Sequence, residues 1–139
     1  MTWLLDASVA IALLDRDHTA HDACRQWFVD PQVDRFATSP ITQNALLRFA
    51  IRRQPELGIA HAQAALSRLC ADPRHHFWLD ELEPRTLAWD GVVGHRQVTD
   101  AYLAALARTN GGRLITLDRG LAVLHDDVAD LIQDTPNDS

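Results

Sequence analysis

The chain has 139 residues, 47% of them hydrophobic and 23% charged, and this composition excludes a wholly disordered protein. The length suits one compact domain and is too short for two ordinary ones. A net charge of −6 argues against general electrostatic attraction to a polyanion. All thirteen basic residues are arginines, which is compatible with phosphate or carboxylate partners and equally with a codon bias.

The most apolar segment lies at the N-terminus, where Asp6 and Asp15 interrupt it well short of the roughly 20 residues that span a bilayer. The segment lacks the basic region and the small-residue cleavage site of a secretory signal. Cys24 and Cys70 form no metal-binding motif, and we expect both to be reduced. We therefore expect a cytoplasmic protein without membrane contact.

Short apolar runs alternate with helical periodicity along the first half of the chain. Trp3-Leu4-Leu5 predicts a strand that ends at Asp6, and Pro40 suits the first turn of a helix because its missing N–H needs no partner there. The predicted elements are a strand at 3–5, helices at 7–14 and 18–29, a strand at 35–38, and helices at 41–53 and 59–71.

The second half gives a strand at 76–79 and a helix at 99–108, with Thr99 as the N-cap. Asn110-Gly111-Gly112 predicts the end of that helix. The clearest strand of this half, at 113–117, also ends at an aspartate.

Strands separated by helices imply crossover connections and a parallel sheet covered on its faces. We therefore predict an α/β fold, a three-layer α/β/α sandwich with a small parallel sheet. Residues 1–132 form its single domain, and residues 133–139 form a polar tail.

Three aspartates point to one edge of this sheet. Asp6 and Asp118 directly follow strands, and Asp100 is expected in the first turn of the helix after Thr99. Ligands of open parallel sheets bind beyond the carboxyl ends of the strands. Clustered carboxylates repel one another unless a cation neutralises them, and oxygen ligands suit Mg²⁺ or Mn²⁺. Each acid alone also has a plain structural role, because aspartate commonly caps helices.

Four stretches of the chain together resemble the PIN domain, and more narrowly the VapC toxins of type II toxin–antitoxin pairs. They are LLDASVAIALLDRDHTAHDAC (4–24), FATSPITQNALLRF (36–49), VTDAYLAALA (98–107) and GGRLITLDRGL (111–121). The resemblance implies a metal-dependent endoribonuclease with Mg²⁺ or Mn²⁺ as cofactor. It also implies a structured RNA substrate such as a tRNA or rRNA loop, a VapB-like antitoxin partner and a homodimer.

The same resemblance assigns the site. Asp6, Asp100 and Asp118 match the metal-binding acids of the family, and Thr116 matches a hydroxyl that orients a water. Gln43 stands where the family usually has glutamate, so the site holds at most three charged carboxylates. Glutamine still offers a carbonyl oxygen to a hard cation, so Gln43 completes the catalytic set as a neutral ligand or water positioner.

Arginines near these residues are candidates for binding RNA phosphate. Arg48 lies five residues after Gln43 on the same predicted helix, and Arg96 precedes Asp100 by four residues. For Arg48 the alternative is a solvated helix face, since arginines are mostly exposed.

Two other functions remain open from the sequence. Without the glutamate, the chain can be a catalytically attenuated PIN module that binds RNA or antitoxin without turnover. A metal-dependent phosphatase is the other reading, but the first strand leads into Asp6-Ala7-Ser8 rather than a paired DxD.

Overall fold

A computed structural model describes residues 1–133, and residues 134–139 lie outside the described part. The strands are β1 (Trp3–Leu5), β2 (Phe36–Thr38), β3 (His75–Phe77), β4 (Arg113–Thr116) and β5 (Ala129–Leu131). The helices are α1 (Ala7–Leu14), α2 (His21–Val29), α3 (Pro40–Arg53), α4 (Gly58–Cys70), α5 (Arg96–Thr109) and α6 (Arg119–Leu124), with short 3₁₀ turns at Pro55–Leu57 and Pro84–Thr86. None of the helices in the described part is long and apolar enough to cross a membrane.

The strands form one parallel sheet in the order β3-β2-β1-β4-β5. Successive strand residues point to opposite faces, so neighbours on β1 enter different layers of the core. Leu4 packs with the helices α5 and α6 on one face, and Leu5 packs with α1 to α3 on the other. The three-layer α/β/α sandwich predicted from the sequence is confirmed.

The end of α5 follows the predicted stop signal. Gly111 takes a φ of 66°, and the amides of Gly111 and Gly112 donate to the carbonyls of Arg108 and Ala107 at 3.2 and 3.0 Å. These two bonds form a Schellman motif, which satisfies carbonyls that the helix end leaves unpaired.

The start of α5 differs from the prediction. The helix begins at Arg96, so Thr99 lies inside it and Asp100 stands just beyond the first turn. The reason is Gln97, whose Oε1 accepts hydrogen bonds from the amides of Val93 and Gly94 at 2.7 and 3.0 Å. These contacts fix the incoming chain and allow the helix to start earlier than a threonine cap would.

Two further differences come from local turns and from pairing. The helix predicted at 18–29 begins at His21, because the His18 ring accepts a hydrogen bond from the Ala20 amide and holds a turn there. The strand β5 was not predicted at all. It has only three residues, and its pairing with β4 rather than its sequence defines it.

Candidate active site at the carboxyl edge of the sheet

Asp6 leaves the end of β1 and is buried, with 8% of its surface exposed. Its Oδ2 accepts hydrogen bonds from the Thr116 hydroxyl at 2.6 Å and the Ser8 hydroxyl at 2.9 Å. Burial raises the pKa of Asp6, the two hydroxyl donors oppose that rise, and the charge of Asp118 adds to it. The carboxylate is therefore firmly held but electrostatically unfavourable without a cation.

Thr116 ends β4, the strand that neighbours β1, and is fully buried. Its hydroxyl donates to Asp6 and accepts from the Asp118 amide at 3.0 Å. Because a hydroxyl has one proton, this geometry directs the proton of Thr116 to Asp6, and the water-orienting role that the resemblance implied stays a prediction.

Asp100 and Asp118 approach Asp6 from α5 and from the start of α6. Burial, followed by the charges of Asp6 and Asp118, raises the pKa of Asp100 to about 6. Asp118 is exposed, and its Oδ1 accepts a hydrogen bond from the Leu121 amide at 3.1 Å. Asp118 thus caps α6 as the structural interpretation predicted, and its charge still acts on the other two acids.

The three carboxylates form no ion pair with any group in residues 1–133. Their donor set consists of oxygens alone, which fits a hard divalent cation. Over the same residues, no three or more Asp, Glu, His or Cys side chains are gathered as a metal-holding group. The three acids lie at the same edge of the sheet, and their charges act on one another. Binding of one metal ion by all three stays a prediction.

The side-chain amide of Gln43 is hydrogen-bonded to groups other than the three carboxylates. Its Nε2 donates to the Thr38 hydroxyl at 3.0 Å and contacts the Cys70 sulfur at 3.8 Å. Thr38 shares the sheet face of Phe36, whereas Thr116 shares the opposite face of Leu114. The predicted role of Gln43 as a ligand or water positioner therefore finds no contact here that supports it.

A second partner of Thr38 was not foreseen from the sequence. The Nε2 of His75 lies 2.7 Å from the Thr38 hydroxyl, and burial lowers the pKa of this histidine. Because Thr38 accepts from Gln43, its own proton is free to be donated to His75. The Gln43 amide is thereby fixed in a chain of hydrogen bonds between β2, β3 and α3.

The two predicted phosphate-binding arginines differ in position. Arg96 lines a cavity of about 150 Å³ together with Asp100 and Asp118. Arg48 is exposed on α3, eight residues after Pro40, and so lies about 12 Å along the helix from the sheet edge. The structure brings Arg96 to the carboxylates and leaves Arg48 outside their edge.

Sequence reasoning also missed His125, which lines the same cavity with 7% of its surface exposed. A lone histidine after a short helix carries no recognisable motif. Only the fold, which brings the end of α6 next to the start of α5, places it beside Asp100.

The other face of the sheet carries an apolar groove of about 240 Å³ between α1, α2, α3 and α4. Its lining includes Leu13, Phe28 and Leu69, together with the arginines Arg25 and Arg68. This groove lies on the side of the sheet away from α5, so it is separate from the carboxylate edge.

Comparisons with known proteins agree with this geometry. The PIN domain family matches residues 3–126. Ribonuclease VapC29 of Mycobacterium tuberculosis is 50% identical over 135 residues, covering 97% of this chain and 99% of the relative. Ribonuclease VapC44 of the same species is 38% identical over 129 residues, covering 88% and 90%.

Two solved structures share the fold. Mycobacterium tuberculosis VapC20, a sarcin-ricin loop cleaving toxin, has a TM-score of 0.66 at 19% identity, covering 88% of this chain and 94% of that one. VapBC2 from Rickettsia felis, bound to a DNA fragment from its promoter, has a TM-score of 0.61 at 14% identity, covering 96% and 100%. The chain belongs to the PIN-domain family and, within it, to the VapC ribonucleases.

Proposed function

We propose that the chain is a divalent-metal-dependent endoribonuclease and the toxin of a type II toxin–antitoxin pair. The observation that supports this proposal is that burial, and then the charges of Asp6 and Asp118, raise the pKa of Asp100 to about 6, while none of the three acids forms an ion pair within residues 1–133. The 50% identity to a named ribonuclease over nearly the whole chain supports the same chemistry.

Asp6, Asp100 and Asp118 would hold Mg²⁺ or Mn²⁺, directly or through water. When bound, such an ion activates water and stabilises the charge that develops on a phosphodiester. Thr116 and Ser8 fix the Asp6 carboxylate through its Oδ2, so that its other oxygen stays available. Arg96, which pairs with no acid in residues 1–133, offers its guanidinium to a substrate phosphate.

The substrate we propose is a structured RNA, with cleavage in a tRNA or rRNA loop. Single-stranded loops expose bases that a protein side chain reaches, whereas an A-form helix hides them in a narrow groove. The description of VapC20 as a sarcin-ricin loop cleaving toxin supports this substrate class for a protein of the same fold. Such a protein acts in the cytoplasm, where these RNAs lie.

A VapB-like antitoxin is the proposed partner, and the proposed oligomer is a homodimer. The Rickettsia felis VapBC2 complex supports a paired partner for this fold. The groove between α1, α2, α3 and α4 offers an apolar surface for a partner helix, and the unpaired carboxylates offer a separate place for a positive side chain of the partner.

The hydrogen bonding of Gln43 favours one alternative, a catalytically attenuated module that binds RNA or antitoxin without turnover. The Nε2 of Gln43 donates to Thr38, and its neutral side chain brings no charge to the carboxylates. The substitution Gln43→Glu separates the two functions. A large gain of cleavage over a low basal rate favours the attenuated module, and an unchanged high rate favours the competent enzyme.

The proposed function is tested by RNA cleavage with purified, antitoxin-free protein. Total tRNA and rRNA are incubated with Mg²⁺, Mn²⁺ or EDTA, beside an Asp100→Asn variant as control. We expect discrete cuts that require the metal and disappear in the variant. Folded protein that binds RNA but makes no cut in either metal would contradict the enzyme and leave the binding module.

A further inference from the structure

A second cavity opens at the carboxyl edge of the sheet, between the turn that joins α1 to α2, the start of α6 and the end of β5. This β5 cavity holds about 630 Å³, and its lining residues Leu117 and Arg119 flank Asp118 along the chain. The Leu117 amide donates to the Ser8 hydroxyl at 3.3 Å, and Ser8 donates to Asp6 at 2.9 Å. A ligand in the β5 cavity therefore lies beside the proposed metal site.

The polar groups that line the β5 cavity are suited to an anion. They belong to His18, Thr19, Arg119 and Gln133, and within residues 1–133 no acid lines it. The chain as a whole carries a net charge of −6, so this lining differs in sign from the acids at the same edge. A guanidinium together with neutral N–H and O–H donors is a set that binds phosphate oxygens.

Arg119 is the cation of this cavity. It is exposed and forms no ion pair with any acid in residues 1–133. Arg108 and Arg113, by contrast, are each held by an aspartate. An unpaired guanidinium on a flexible stem can turn toward a ligand in the cavity that it lines, and its planar fork of N–H groups suits a phosphate.

His18 adds an N–H donor that is open to solvent. Its Nδ1 accepts from the Ala20 amide at 3.0 Å, so the proton of the neutral ring lies on Nε2. The buried side-chain atoms without a hydrogen-bond partner in residues 1–133 belong to Ser39, Asp80 and His125. Nε2 of His18 forms no hydrogen bond in the same residues and is not one of these buried atoms, so it is accessible to a ligand.

We propose that the β5 cavity is a phosphate subsite, in which Arg119 and the Nε2–H of His18 bind a backbone phosphate of the substrate RNA. The proposal rests on the proposed ribonuclease function and adds a substrate-positioning contact to the same site. Arg96 offers an unpaired guanidinium on the α5 side of the carboxylates, and Arg119 offers one on the β5 side. A strand held on both sides has its register over the carboxylates fixed without any reading of its sequence.

The test measures RNA binding in EDTA at pH 8, where metal-dependent cleavage cannot interfere and a histidine ring is ordinarily neutral. Fluorescein-labelled decamers of uridine or of cytidine are titrated with the full chain at several KCl concentrations and followed by anisotropy. Arg119→Met removes the guanidinium and keeps an unbranched stem. Arg35→Met is the charge-matched control, because Arg35 is exposed and directly precedes β2, at the opposite edge of the sheet.

We expect Arg119→Met to weaken binding of both decamers by about tenfold, as the loss of a hydrogen bond to a charged group does. The slope of log K against log[KCl] should become shallower by about 0.7, the share of one phosphate contact on a single strand. His18→Asn keeps an oxygen for the Ala20 amide and removes the ring donor. It should weaken binding by a similar factor and leave the salt slope unchanged, because it removes no charge.

Natural affinities and salt slopes in both Arg119→Met and His18→Asn would overturn the subsite. An equal loss in Arg35→Met would overturn it too, because the effect would then come from net charge alone. A free phosphate ion carries the same chemical group, and calorimetric titration of inorganic phosphate tests that source. Phosphate binding that Arg119→Met abolishes, with RNA binding unchanged, would assign the cavity to the free ion and overturn the RNA subsite.

The outcome is separable from catalysis. RNA binding that depends on Arg119 and His18, without RNA cleavage in either metal, contradicts the proposed function and keeps the subsite. Metal-dependent cleavage by the natural chain, with unchanged RNA binding in both variants, does the reverse.

Discussion

Thr116 and Asp6 form the shortest hydrogen bond of the candidate site, 2.6 Å between a buried hydroxyl and a buried carboxylate. A hydrogen bond to a charged group contributes about 1.5–3 kcal/mol. Replacing Thr116 by valine removes the donor from Asp6 and leaves the Asp118 amide without its acceptor.

We expect Thr116→Val to weaken Mn²⁺ binding and RNA cleavage by roughly 10- to 100-fold, the range for residues that orient a metal ligand. Thr116→Ser keeps the hydroxyl and is the matched control, with near-natural values. Calorimetric titration and initial cleavage rates measure both. Natural Mn²⁺ affinity in the valine variant would show that Thr116 does not position Asp6 for the ion.

Asp100 makes the stability of the metal-free protein depend on pH. Its pKa of about 6 in the folded state exceeds the ordinary value of 3.8, so the folded protein favours the protonated form. The contribution of protonated Asp100 to the stability of the fold is fully present below pH 3.8 and is lost as the pH rises through about 6.

As the pH rises from 4 to 7 in EDTA, the free energy of unfolding of the natural chain should therefore fall relative to that of the Asp100→Asn variant, which lacks the titrating group. Urea unfolding at several pH values measures the difference between the two proteins. A difference that does not change with pH would mean that neither burial nor the charges of Asp6 and Asp118 raise the pKa of Asp100.

At the level of single residues, the sequence predicted the acids better than their surroundings. Asp6 and Asp118 were found because each follows an apolar strand, and the structure places both at the predicted edge. The hydrogen bond between Asp6 and Thr116 joins positions 110 residues apart. The hydrogen bond from Gln43 to Thr38 depends on the rotamer of the Gln43 side chain. Such contacts depend on tertiary packing, which a local pattern does not contain.

Among the elements, α5 and β4 determine the geometry of the site, and Gly112 controls how closely they approach the N-terminus. A Cβ at Gly112 would lie 2.5 Å from the Thr2 carbonyl oxygen and 2.7 Å from the Trp78 ring. The Arg113 amide donates to the same carbonyl at 3.0 Å, so the backbone of Thr2 cannot retreat without breaking that bond.

We expect Gly112→Ala to destabilise the fold by about 1–3 kcal/mol, the usual range for overpacking. Gly94→Ala is the control, because a Cβ there meets no atom within 4 Å. Chemical unfolding of the two variants gives the comparison. Equal stability of both would show that the β4 start has more room than its contacts indicate.

The helices and strands were predictable where the hydrophobic periodicity extended over many residues and where glycine or proline marked the end of an element. The limits of α1 and the Gly111-Gly112 stop agree with the prediction. The early start of α5 depends on the Gln97 side chain, and β5 is too short for an alternating pattern. Of the predicted tail at 133–139, only Gln133 lies in the described part, so the single-domain boundary stays a prediction.

For the whole molecule, the negative net charge and the unpaired carboxylates favour a partner that brings positive charge to the sheet edge. We expect Asp100→Asn to weaken binding of the cognate antitoxin in the absence of metal. Glu56→Gln, which removes an exposed acid from the turn before α4, is the charge-matched control. Surface plasmon resonance compares the two, and equal dissociation constants would contradict an antitoxin segment that enters the carboxylate edge.

The proposed enzyme requires that Asp6, Asp100 and Asp118 together hold a divalent cation. Its most direct test is a calorimetric titration of Mn²⁺ into the RNA-free protein and into Asp6→Asn, in which the hydroxyls of Thr116 and Ser8 still find an oxygen. We expect one bound ion in the natural chain, since Gln43 adds no charge for a second, and no detectable binding in the variant. Equal Mn²⁺ affinity in the two proteins would contradict it.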